Sequence, residues 1–110
     1  MKLIFVSSPF KGEREKNIAF AHMACAYVLK QGHVPFAPHL FFTQFLDDDD
    51  KKQRDQGIKG GFVVLERCDE FWWFGEGLSS GMYAEMRTAN EHNIPIQRVT
   101  TMEVEECLSK

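Results

Sequence analysis

Two hydrophobic periods alternate along the chain. Residues 2–7, KLIFVS, form a short apolar run with β-branched members, which predicts a buried strand. A loop, SPFKG, follows and is punctuated by Pro9 and Gly12. Residues 13–31 then switch to a helical period. Ile18, Ala21, Ala24 and Val28 make one apolar stripe, with Phe20, Met23 and Tyr27 beside it and Gly32 as the stop. A second strand is predicted over residues 34–37, and HLFF after it reads as a loop or short helical turn that closes over something. Asp47 to Asp50 would cap and charge a helix over residues 49–67, where Ile58, Phe62 and Leu65 keep helical spacing. Gly57, Gly60 and Gly61 oppose that helix, each at about 1 kcal/mol relative to alanine, and FVVL would also suit a strand. The helix is the preferred reading, with its glycines allowing close packing.

Residues 69–74, DEFWWF, are apolar on both alternating faces, as a strand covered on both sides requires. A glycine- and serine-rich loop leads to a helix over residues 81–92, a fourth strand over 95–99 and a short helix from Thr101, for which T-x-x-x-E is only a weak start signal. Strands alternating with helices predict an α/β fold: one doubly wound, mostly parallel sheet of about four to five strands, Rossmann- or flavodoxin-like. Ligands in such folds bind outside the carboxyl ends of the strands. SSPFKG and GEGLSSG both leave such ends and are the expected walls of one site.

Size and charge narrow the classes. A chain of 110 residues predicts a single domain, 1–110. A net charge of −3 and a pI of 5.8 lack the basic footprint of a nucleic-acid binder. No apolar run reaches membrane-span length. Cys25, Cys68 and Cys107 are odd in number and far apart, which fits reduced thiols and a cytoplasmic setting. His22, His33, His39 and His92 lack metal-ligand spacing, so neither metal nor cofactor is expected. Asp69 opens its strand at the edge away from the expected site and reads as structural, bonding to local backbone.

Glu85 is the residue that ordinary explanations fail to place. A capping box would put it three residues after a serine, but Met82 follows Ser79 at that distance and Tyr83 follows Ser80. An i,i+4 ion pair would need a cation at position 81 or 89, which are glycine and alanine. Glu85 shares its helix face with Met82, Met86 and Ala89. A carboxylate on an apolar stripe is costly unless it opens into a cavity. GLSSG offers backbone N–H groups and two hydroxyls at a helix start, a combination suited to anions. In SSPFKG, Ser7, Ser8, Pro9 and Gly12 form the facing wall, and Lys11 could join Ser7, Ser8 and Gly12 around a phosphate or sugar. Neither GxGxxG nor GxxxxGK[ST] is present.

Nearly the whole chain resembles the nucleoside 2-deoxyribosyltransferase-like superfamily, in particular a small bacterial and phage branch of it. VSSPFKG, VPFAPHLFF, ERCDEFWWFGEG and above all SSGMYAEM carry the resemblance. It implies Glu85 as a nucleophile at the anomeric carbon of a nucleoside and a glycosyl-enzyme intermediate, the chemistry of retaining glycosyl transfer. The residue six before the nucleophile is acidic in nucleoside transferases and serine in nucleotide N-glycosidases. Ser79 therefore implies a nucleoside 5′-monophosphate as partner, with Ser80, Gly81 and Met82 at the phosphate end. Phe10 and one of Phe41 or Phe42 would sandwich the base. His39 or Asp55 would orient sugar or base, Asp55 being the nearest residue to an aspartate that many relatives use. Relatives often dimerise, so a homodimer or higher oligomer is expected. A nucleotide-binding module without catalysis, and an interaction protein with a vestigial pocket, remain the rival readings.

Overall fold

The computed structural model describes residues 1–110. The first strand, β1 (Leu3–Ser7), leads through helix α1 (Arg14–Lys30) to β2 (Val34–Phe36). A one-turn helix, α2 (Pro38–Phe41), and a 3₁₀ turn over Phe42–Gln44 precede the long helix α3 (Lys51–Leu65). Then come β3 (Glu70–Phe74), α4 (Ser80–Glu91), β4 (Ile96–Val99) and α5 (Thr101–Leu108). The four strands form one all-parallel sheet in the order β2-β1-β3-β4. This is a flavodoxin-like arrangement, with the order reversing between β1 and β3.

Both faces of the sheet are covered, as the unbroken apolar strands require. Ile4, Val6, Trp72, Phe74 and Val99 point to one side, where Ala24, Tyr27 and Val28 of α1 and Val104 of α5 complete a core. Phe5 and Phe71 point to the other and meet Leu65, Cys68, Ala89 and Ile94. Their rings stack at 5.6 Å. Asp69 accepts a hydrogen bond from the Leu3 amide at 2.7 Å, fastening the amino edges of β1 and β3 together. The role is structural as expected, but the expected partner was local backbone and the actual one is 66 residues away in sequence.

Local signals account for the helix ends. Asp50 is the N-cap of α3 and accepts from the Lys52 amide, so the helix starts two residues later than predicted. FVVL lies inside this helix. Gly32 follows α1 at φ +87, a conformation suited to glycine. The last helix has a full capping box, but it runs from Thr100 to Glu103, one residue ahead of the weak T-x-x-x-E signal. Ser79, rather than a later residue, caps α4 and accepts from the Met82 amide.

The glycines of α3 let the aromatic turn pack against it. A Cβ at Gly60 would stand 2.8 Å from Phe42 Cζ, whereas one at Gly57 would make ordinary contacts of 3.5 Å with Phe42 and Leu46. The Phe42 ring is itself packed against Phe36, Phe41 and Phe45 and has little room to yield. Gly60→Ala is therefore expected to destabilise by about 1 kcal/mol after the helix-propensity gain is counted, while Gly57→Ala stabilises by up to about 1 kcal/mol. Urea denaturation midpoints of the two variants test this contrast.

Candidate functional site

A cavity of about 340 Å³ opens at the carboxyl edge of the sheet, beside the β1/β3 switch point. The loop after β1 contributes Pro9, Phe10 and Lys11, and the turn after β2 contributes His39 and Phe42. The start of α4 contributes Ser79, Ser80, Gly81, Met82 and Glu85. The two loops expected to form the walls thus both reach it.

Glu85 opens on the cavity from α4, and Ser7 at the end of β1 reaches it from behind. The buried Ser7 hydroxyl donates to Glu85 Oε1 at 2.7 Å, so the carboxylate does have a partner, 78 residues away in sequence. Burial pushes the Glu85 carboxyl up to about 7, and the Ser7 hydrogen bond opposes the rise. The hydrogen bond holds one oxygen and leaves Oε2 without a hydrogen bond. A carboxylate of this kind sits at the balance between nucleophile and acid near neutral pH.

Helix α4 begins beside it. Ser79 Oγ accepts from the Met82 amide, and the Tyr83 amide makes the first bond within the helix, to the Ser79 carbonyl. The Ser80 and Gly81 amides are left at the cavity with the Ser79 and Ser80 hydroxyls, an arrangement that favours anions. On the opposite loop, Phe10 is buried and stacks on His39 with ring centroids 4.3 Å apart and planes at 13°. Arg14 approaches the Phe10 ring at 5.4 Å. Burial holds the His39 imidazole down to about 4, so it is neutral at pH 7.

Five residues nominated from the sequence stand away from the cavity lining. Asp55 is on another face of α3, where its carboxylate pairs with Lys51 at 3.4 Å. Phe41 is turned outwards, 48% exposed, and packs against Phe36, Phe42 and Phe45; of the two candidate phenylalanines only Phe42 lines the cavity. Gly12 occupies the turn before α1 at φ +96. Ser8 is buried outside the lining, and Ser7 acts through Glu85 rather than facing the cavity directly. The structure adds a wall that sequence reasoning missed: Arg54, Gly57, Ile58 and Gly61 of α3, with Asp48 before it. The i, i+3, i+4, i+7 spacing of these α3 residues marks one helix face and was the available signal.

The sequence profile described as a domain of unknown function, DUF7768, matches residues 2–99. The chain belongs to the DUF7768 family. No curated protein matches it. Among solved structures, the DUF7768 fold is similar to a 2-deoxyribosyltransferase from the psychrotolerant bacterium Bacillus psychrosaccharolyticus, at 20% identity and a TM-score of 0.67. That match covers 89% of this chain and 72% of the other. A 2-desoxiribosyltransferase from Leishmania mexicana is similar at 16% identity and a TM-score of 0.63, covering 92% of this chain and 65% of the other. At these identities the likeness is one of fold. No helix is long and apolar enough to cross a membrane.

The Glu85 environment has a measurable consequence. Its folded-state pKa lies above the ordinary value of 4.5, so the folded state holds the proton longer than the unfolded one. Its contribution to stability therefore falls as pH rises from about 4.5 to about 7 and is flat beyond. A shift of this size corresponds to about 3 kcal/mol, and solvent reaching the carboxylate through the cavity lowers the figure to about 2 kcal/mol. Glu85→Gln should accordingly be more stable than wild type at pH 8, with the gap closing by pH 5. Chemical denaturation at the two pH values measures it.

Proposed function

We propose that this protein cleaves or transfers at the N-glycosidic bond of a nucleoside 5′-monophosphate, with Glu85 as nucleophile. The observation that carries the reading is the Glu85 carboxylate, held at one oxygen by Ser7 and opening on a cavity at the switch point. The fold shared with two 2-deoxyribosyltransferases supports it. So does the helix start next to Glu85, where two backbone amides and two hydroxyls are available to a 5′-phosphate. Ser79 at this position adds no negative charge to repel one.

In the proposed reaction the ionised Glu85 Oε2 bonds to the anomeric carbon as the base departs. Water or a second base then displaces the glycosyl ester. The Ser7 hydroxyl orients the carboxylate and keeps it ionisable despite its burial. Of the rings nominated to sandwich the base, Phe10 is stacked on His39 with Arg14 over its ring, so Phe42 and the neutral His39 are the rings offered to sugar or base. The reading also includes a cytoplasmic setting, consistent with three free cysteines, and a homodimer or larger assembly.

Chromatography of free base released from a panel of ribo- and deoxyribonucleoside 5′-monophosphates tests the proposal. Glu85→Ala is expected to reduce release by about 10³-fold or more. Absence of release from every substrate, or equal release by the variant, overturns the reading. Nucleotide-induced thermal stabilisation without turnover would instead favour a binding module. For the active protein, kcat/KM is expected to rise with pH through about 7, following Glu85 ionisation.

A further inference from the structure

Arg54 is a part-buried cation on the α3 wall of the cavity, and its guanidinium has no ion-pair or hydrogen-bond partner. The acids in the segment around it are otherwise engaged. Asp48 and Asp49 lie 3.5 and 3.4 Å from Arg14. Asp50 accepts from the Lys52 amide and from Gln53 Nε2, both at 3.0 Å. Asp55 pairs with Lys51. Gln53 is held as well, its carbonyl accepting from the Asp47 amide at 2.8 Å. The Thr43 hydroxyl donates to the His39 carbonyl at 2.6 Å. On this side of the cavity the side chains left to meet a ligand are the Arg54 fork, the His39 ring and the Asp48 carboxylate, whose one contact is the ion pair that Arg14 shares with Asp49.

Phe42, Leu46, Ile58 and Phe62 line the cavity with them. Arg54 is only part-buried, so water meets its N–H groups in the open cavity, and a ligand that displaces that water must supply acceptors in its place. A guanidinium offers donors only, in a planar fork, and does not give up its proton. Two adjacent in-plane acceptors satisfy it best. The O6 and N7 edge of a 6-oxopurine presents that pair, whereas a 6-aminopurine sets an N–H donor against the fork.

We propose that Arg54 reads the departing base and selects a 6-oxopurine, an assignment that rests on the N-glycosidic reading of the site. In the reaction the bond from the anomeric carbon to N9 breaks. Its electron pair moves into the purine ring as Glu85 Oε2 bonds to the same carbon. The base leaves as an anion whose charge spreads to O6 and N7, where the Arg54 N–H groups receive it. Its proton comes later from water. No free carboxylic acid on the α3 wall is needed to protonate it.

Free bases test the recognition without requiring turnover. Calorimetry with hypoxanthine and adenine should show wild type binding hypoxanthine at least about tenfold more tightly. Arg54→Gln should abolish the preference, and Arg54→Lys, which keeps the charge but loses the fork, should restore only a small part. No preference in wild type, no binding of either base, or a preference that survives in Arg54→Gln overturns the proposal. So does a result in which Arg54→Gln weakens ribose 5-phosphate and leaves hypoxanthine unchanged, because Arg54 would then be a phosphate anchor. The turnover arm compares inosine 5′-monophosphate with adenosine 5′-monophosphate, which keeps N7 but sets an N–H donor in place of O6. Arg54→Gln should slow the first by about 100-fold and the second only slightly; equal slowing overturns the leaving-group role. If hypoxanthine binds as expected but no nucleotide is cleaved, the N-glycosidic reaction fails while recognition by Arg54 stands.

Discussion

Strand β1 is hydrogen-bonded to β2 along one edge and to β3 along the other, and this double pairing organises the site. Its neighbours are reached by connections running in opposite directions across the sheet. The loops leaving β1 and β3 therefore part at their carboxyl ends and leave a crevice between them. Because every pairing is parallel, the connections after β1, β2 and β3 all begin at that edge. Helices α1, α3 and α4 consequently direct their amino ends towards it. Ser7 closes β1 at the bottom of the crevice, and α4 brings Glu85 to the same place.

The two faces of β1 serve different ends. Ile4 and Val6 are fully buried against α1 and α5, while Phe5 packs towards α3 and α4. The α3–α4 side also carries the cavity wall, and the glycines of α3 shape it. Gly61 meets Pro38, and Gly57 and Gly60 meet the Phe42 side chain. The aromatic turn can thus lie against the helix and leave a slot beside it. The helix propensity sacrificed at Gly60 provides close packing there, whereas Gly57 and Gly61 would accept a Cβ in ordinary contact and their absence of one widens the cavity.

Features that depended on short spacing were readable from the sequence. The strand and helix order, the stop at Gly32 and the structural role of Asp69 follow from local pattern. Glu85 stood out because its local pairing partners were absent, but the hydroxyl that holds it is 78 residues distant and left no mark in the spacing. The α3 wall was hidden for a related reason. Asp47 to Asp50 reads as a solvated acidic run, and only folding shows that Arg14 takes Asp48 and Asp49, leaving Arg54 free. Asp55 is the opposite case. Its i,i+4 relation to Lys51 was visible in the sequence, but the resemblance casts the residue instead as a group orienting sugar or base.

Charge in the cavity links these elements. Lys11, Arg54 and Glu85 open on it, Asp48 is offset by Arg14, and His39 is neutral at pH 7. An anion brought to the amino end of α4 would, by itself, push the Glu85 carboxyl above its already raised value and suppress the ionised form. The cations oppose that effect, as do the amides of α4. They act from different walls: Lys11 from the loop after β1, Arg54 from α3. A ligand that places negative charge at the helix start and acceptors against α3 would engage both walls while leaving Glu85 able to ionise between them. A ligand without paired acceptors would leave the Arg54 fork unsatisfied, and a compact anion would reach only part of the donor set. On the proposed reading, the cavity would take an extended molecule with an anionic end and a flat, acceptor-edged end, joined by a segment lying over Glu85.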